Sequence, residues 1–207
     1  MSPDDFAKLF LLVFPLMFSP GPTNFMCAAA ASRHGVAKCI PMILGMDLMV
    51  FLPALLVGLG VGELFSRFPT ILTIVQLIGA VVILVIGIDM VRSLHKQEAA
   101  TGALTPMSFL GGMLVQTLNA KGLALLVIIY AQFHLRDASV WHNASVVAAY
   151  LTGLSLLSHF AWAAGGMWIA RRFASARALR LQGGIYATML VMVAIWLFVS
   201  AIRDTVT

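Results

Sequence analysis

Charge is what this chain has least of. Only 10% of its 207 residues are Asp, Glu, Lys or Arg, where a soluble domain carries about a quarter, so the composition excludes a domain solvated by water on all sides. Cysteine is nearly absent. Cys27 and Cys39 are the only two and have no C-x-x-C spacing, which gives no footing to a zinc site or a disulfide framework. Catalytic signatures are missing too. There is no H-E-x-x-H, no G-x-S-x-G and no pair of carboxylates inside an apolar run, so nothing marks a membrane enzyme. A metal-ion carrier would need several Asp, Glu or His converging within the membrane. Asp47 and His159 stand on different apolar runs without company, and no metal or other cofactor is expected.

What the chain does have is hydrocarbon. Hydrophobic residues make up 61% and the mean hydropathy is +0.98. Apolar runs at 9–31, 40–61, 71–91, 109–133, 144–170 and 185–202 approach or exceed the roughly 18–25 residues a helix needs to cross a bilayer. The spacing predicts an all-α integral membrane protein of six transmembrane helices. The first run ends in small residues, Ala28 to Ser32, but it opens on Asp4 and Asp5 against a single Lys8 and is interrupted by prolines. It reads as a retained span, not a signal peptide.

Basic residues set the orientation. Arg33, Lys38, Arg92, Lys96, Arg171, Arg172, Arg177 and Arg180 follow runs one, three and five, and the opposite side has only Lys8, Arg67, Arg136 and Arg203. The first set is expected in the cytoplasm, with both termini outside it. The net charge of +5 is then a matter of topology and anionic lipid, and no nucleic-acid partner is expected.

Within the first run lies Ser19-Pro20-Gly21-Pro22-Thr23-Asn24. Two prolines remove two backbone donors and the intervening glycine tolerates unusual angles, so the helix must open there. An opened backbone survives in a bilayer only where it is buried in protein or lines a watery cavity. A second discontinuity, Gln116-Thr117-Leu118-Asn119-Ala120-Lys121-Gly122, sits half a chain later in run four. The single domain 1–207 is therefore expected to consist of two three-helix repeats, 1–98 and 99–207. The odd number of helices inverts the second against the first, so that the broken helix 1 meets the second break near the midplane.

Ser19-Pro20-Gly21-Pro22-Thr23-Asn24, His34-Gly35, Gly45-Met46-Asp47, Gln76-Leu77-Ile78-Gly79-Ala80 with Gly87, and Asn119-x-Lys121 together resemble the LysE/RhtB amino-acid exporter family over nearly the whole chain. The resemblance implies a bacterial inner-membrane protein that exports amino acids or close derivatives at the expense of the proton gradient. One position departs: the family usually has proline between Asn119 and Lys121, and this chain has Ala120, so a milder second break is expected. The cysteine and O-acetylserine branch also lacks that proline, which gives a lead on substrate.

The polar residues inside the runs can be read on their own physics. A charge near the bilayer centre costs about 2.5–3.5 kcal/mol on insertion scales, so Asp47 and Lys121 each need a partner or a cavity, and an ion pair between them is one reading. Asp47 is the candidate for proton coupling, since removal from water favours the protonated carboxyl; it is also placed to meet a substrate ammonium. Ser19, Pro20, Gly21, Pro22, Thr23, Asn24, Asn119 and Lys121 are the candidate substrate-binding residues, because a half-helix starting after the break offers free N–H groups and its positive dipole end to a carboxylate. One acid and one base match a zwitterion, so a small neutral amino acid is expected, with protons and the lipid bilayer as the other partners. His159, beside Ser155 and Ser158, is expected to be a packed, hydrogen-bonded residue, although histidine can also carry protons. Other readings are a metal-ion or other small-solute transporter and a non-transporting helix bundle, and the sequence leaves room for a homo-oligomer.

Overall fold

The computed structural model describes residues 3–61, 69–96, 108–119, 122, 125–126, 129, 139–173 and 175–206. Every regular element among them is helical: α1 (Pro3–Phe18), α2 (Pro22–His34), α3 (Val36–Leu56), α4 (Pro69–Lys96), α5 (Phe109–Thr117), α6 (Val140–Arg172) and α7 (Ala176–Val206). A π-helical turn, Val57–Val61, continues α3. Two segments, Val36–Gly60 and Val140–Arg172, are long and apolar enough to cross a bilayer. A third span results if the bent pair Phe6–Phe18 and Pro22–His34 is taken as one.

The first expected break is present. α1 and α2 meet at an angle of 56°, with Pro22 in the first turn of α2, where its missing N–H leaves no helical bond unmade. The second break is present as well, in spite of Ala120. α5 stops at Thr117 after nine residues, Leu118 turns, Asn119 is non-helical, and Gly122, Leu125, Leu126 and Ile129 are helical again. A proline is therefore not needed to stop this helix. Asn119 supplies a side-chain carbonyl that accepts from the Gly122 N–H at 3.3 Å, a local bond that competes with helix continuation. Lys121 lies outside the described residues.

The most extensive packing among the described residues is of α4 along α7, α2 along α6, and α3 against both α5 and α6. Glycine sets how close two of these approaches are. A methyl at Gly45 would collide with the carbonyl oxygen of Phe109, and one at Gly112 with that of Met42, so α3 and α5 touch backbone to backbone from both sides. Gly166 of α6 meets Ala28 of α2 in the same way. Small residues at crossings are how helices associate in lipid, where no hydrophobic effect drives them together. Cys27 and Cys39 are buried free thiols, on α2 and α3 respectively.

The buried apolar residues form two clusters. One holds Phe25 to Ala31, Cys39, Met42, Ile43, Met46, Ala80, Ile83, Val115, Ala163 and the α7 residues Tyr186, Leu190 and Ala194. The other holds Leu9, Val13, Val50, Ala54, Leu125, Leu126, Ile129, Val147, Ala148, Leu151 and Leu154. The chain passes from one cluster to the other five times, and four of the passages are polar: 19–24 after Val13, Asp47 before Val50, Gln116 and Asn119 after Val115, and Ser155, Ser158 and His159 after Leu154; the fifth, from Ala54 to Ala80, runs partly outside the described residues. A buried polar layer thus separates two apolar ones. Outside, Leu11, Leu110, Trp141, Trp168 and Trp196 are mostly exposed, an apolar surface of the kind lipid covers.

Candidate functional site

The break between α1 and α2 leaves carbonyls at the end of α1 without helical donors. Side chains replace them. Asn24 Nδ2 donates to the Met17 carbonyl at 2.8 Å and to the Ser19 carbonyl at 2.9 Å. From α6, Ser158 Oγ lies 2.9 Å from the Met17 carbonyl and 3.3 Å from Asn24 Oδ1, and Trp162 Nε1 donates to the Phe18 carbonyl at 3.1 Å. The opened backbone is therefore stitched to α6 and kept open. The start of α2 has no such help: Gly21 is its N-cap, with no side chain capping the first turn. Those first N–H groups have no partner within the helix and give the half-helix its positive end.

A cavity of about 70 Å³ lies between the two breaks, where roughly 10–15 Å³ of such space admits one water. Its wall takes Gly21, Pro22, Thr23 and Asn24 from the first break, Gln116, Asn119 and Gly122 from the second, and Ser155, Ser158 and His159 from α6. Met17, Met49, Val50 and Leu125 are among its apolar members. Both halves of the chain thus contribute polar groups to one chamber. Its own amides are ordered, with Asn119 Nδ2 3.4 Å from Gln116 Oε1.

Asp47 is 2% exposed and does not line the cavity. It lies behind His159, whose Nδ1 is 3.2 Å from Asp47 Oδ2. Both side chains are buried, and a contact of this length needs one proton between the two atoms, on either the ring or the carboxyl. The other carboxylate oxygen, Oδ1, has no hydrogen-bond partner among the described residues. No cluster of three or more His, Cys, Asp or Glu that would hold a metal ion occurs among the described residues.

Of the residues singled out in the sequence, Gly21, Pro22, Thr23, Asn24 and Asn119 line the cavity. Ser19 and Pro20 do not; the Ser19 hydroxyl donates back to the Leu16 carbonyl at 2.7 Å. Lys121 and its suggested pairing with Asp47 lie outside the described residues. His159, expected to be a packed, hydrogen-bonded residue, is buried and bonded, and its partner is Asp47, which stands without company in the sequence; His159 is also part of the wall. Ser155, Ser158 and His159 had a signal in the sequence: at positions i, i+3 and i+4 they form one polar stripe on an otherwise apolar helix.

A family model described as LysE type translocator matches residues 14–201. No curated protein and no solved structure matches the chain. With the match running through both breaks, the cavity wall and α7, the chain belongs to the LysE type translocator family and is a membrane protein.

Proposed function

We propose that the protein is a secondary transporter that moves a small neutral amino acid or close derivative out of the cytoplasm, driven by protons. The carrying observation is the single cavity lined by both helix breaks. It lies in the polar layer between the two apolar clusters, where a bilayer midplane would fall. Transporters built from inverted repeats bind substrate at such a place.

Two three-helix repeats, 1–98 and 99–207, and six spans are the arrangement that suits this reading. Its second spans would be α3 and α6 and its third spans α4 and α7, and the chain packs these in like pairs, α3 with α6 and α4 with α7. A twofold relation between halves brings equivalent helices together in that way. The basic loops after spans one, three and five face the cytoplasm of a bacterial inner membrane, with both termini outside it.

The uncapped start of α2, with Thr23 and Asn24, suits the substrate carboxylate, and Lys121 is assigned to the same group. Asp47 is the coupling residue, placed behind the wall it would charge and discharge. Among the described lining residues there is no carboxylate, which favours a neutral substrate over a cationic one; cysteine and O-acetylserine are the first candidates. The test is proton-gradient-driven uptake of labelled cysteine, O-acetylserine, threonine, homoserine, leucine, lysine and arginine into everted vesicles. Uptake of a neutral amino acid, lost in Asp47→Asn, is expected. Absence of uptake for all seven by folded protein would overturn the reading.

A further inference from the structure

Resting on the exporter reading, we propose that Asp47 and His159 act as one unit whose single negative charge is taken in turn by the substrate ammonium and by a proton, with His159 as the group that receives the proton.

The geometry divides the labour. Asp47 is buried behind the wall and His159 is part of it, so a solute or a proton in the cavity reaches the imidazole before the carboxylate. With the ring neutral and its Nδ1–H donating across 3.2 Å to Oδ2, Nε2 keeps an unshared lone pair. The carboxylate behind it gives the pair a net charge of −1. In a low-dielectric chamber that charge favours a cation at Nε2. A substrate ammonium can donate a hydrogen bond to it. A hydronium can instead give up its proton there, forming the N–H bond and leaving water, which makes an imidazolium–carboxylate pair of net charge zero. The two occupants exclude each other, because the ring has one lone pair and an imidazolium repels an ammonium.

Exchange follows from that exclusion. On the more alkaline cytoplasmic side the unit binds the ammonium, and on the more acidic outer side a proton displaces it, one for one. Imidazole is suited to the task because its charge ordinarily changes between pH 5 and 8. The other titratable groups on elements packed against α6 leave the assignment intact. Cys27 of α2 is a buried thiol whose Sγ lies 3.9 Å from Met46 Sδ, beside Asp47. Lys8 of α1 is exposed, the π-turn Val57–Val61 carries none, and Tyr186 of α7 belongs to the apolar cluster around α2. Arg33, His34 and Lys38 stand where α2 passes into α3, nine or more residues along the chain from Asp47.

Two readouts test the unit. The first is nitrogen-15 histidine NMR of the purified protein in nanodiscs from pH 5 to 8.5, without substrate. The chain has five histidines, and one of the ring protonation changes seen in wild type is expected to be missing in His159→Gln. A His159 ring that stays neutral throughout would overturn the proposal; if His159→Gln gives too little protein, replacing the other four histidines by Gln isolates the His159 signal. The second is exchange of labelled against unlabelled neutral amino acid in proteoliposomes with no pH gradient. Below the midpoint, half-saturation in wild type should rise about tenfold per pH unit, the slope of one-proton competition. His159→Gln should show weakened exchange with a flat profile; retention of the wild-type slope would overturn the proposal. The two readings fail separately. A titrating ring in a protein that moves no amino acid removes the exporter reading, and transport by a protein whose ring never titrates removes the unit.

Discussion

Asn24 joins the two sides of the first break. Its amide nitrogen serves two carbonyls of α1, its amide oxygen meets Ser158 of α6, and its place in the first turn of α2 puts it on the cavity wall. An alanine there leaves buried carbonyls without donors, and Asn24→Ala is expected to cost about 1–3 kcal/mol, read as a lower melting temperature of the purified protein. Asn24→Asp should be at least as damaging in spite of its matched shape, because a carboxylate offers no N–H to Met17 and Ser19. Should Asp substitute without loss, the amide nitrogen is not what holds the break. The position of Asn24 next to Pro22 was legible in the sequence, since helix breakers act locally. That Ser158 and Trp162 would finish the stitching was not. They lie 134 and 144 residues from the groups they meet, and no local pattern encodes such a distance.

At the scale of elements, glycines separate contacts that must be close from those that are free. A methyl at Gly112 would strike backbone of α3, which has no rotamer to give way, whereas one at Gly165 in α6 meets nothing within 4 Å. Gly112→Ala is therefore expected to destabilise by about 1–3 kcal/mol as overpacking. Gly165→Ala should be neutral or stabilise by up to about 1 kcal/mol through helix propensity. Thermal unfolding of the two variants in parallel checks both, and equal melting temperatures would refute the close α3–α5 approach. In the sequence, the doublets Gly111-Gly112 and Gly165-Gly166 look alike. Only packing shows that Gly112 and Gly166 touch neighbours while Gly165 faces open space. The second break teaches the converse. Ala120 in place of proline suggests a softer break, yet the helix stops at Thr117, and the Asn119 side chain, accepting from the Gly122 N–H as an N-cap does, favours the start of a new helix there.

For the whole molecule, the order of layers is apolar, polar, apolar along four of the five passages between clusters. An orientation test belongs at this scale. A cysteine at Val140, exposed at the start of α6, and one at Arg177, exposed near the start of α7, should lie on opposite faces of the membrane. An impermeant maleimide is expected to label Val140→Cys in intact cells and Arg177→Cys only in everted vesicles, with little background because Cys27 and Cys39 are buried. The reverse pattern would invert the export direction assigned above, and labelling of both from one side would exclude six alternating spans.

The sequence by itself determined the solvent, the existence of two breaks and the membership of a translocator family, because hydropathy and helix breaking are properties of short stretches of chain. It also marked Asp47 as a charge that needs a reason. Tertiary structure alone decided what that charge meets. Asp47 and His159 are 112 residues apart, and their contact depends on how α3 crosses α6, a matter of glycine-spaced packing and of the angle at the first break. The cavity likewise belongs to no segment: its wall takes residues from α1, α2, α3, α6 and the second break. A lone acid and a lone histidine in the sequence become a paired charge beside a polar chamber only when four passages of chain bring their polar residues to the same depth.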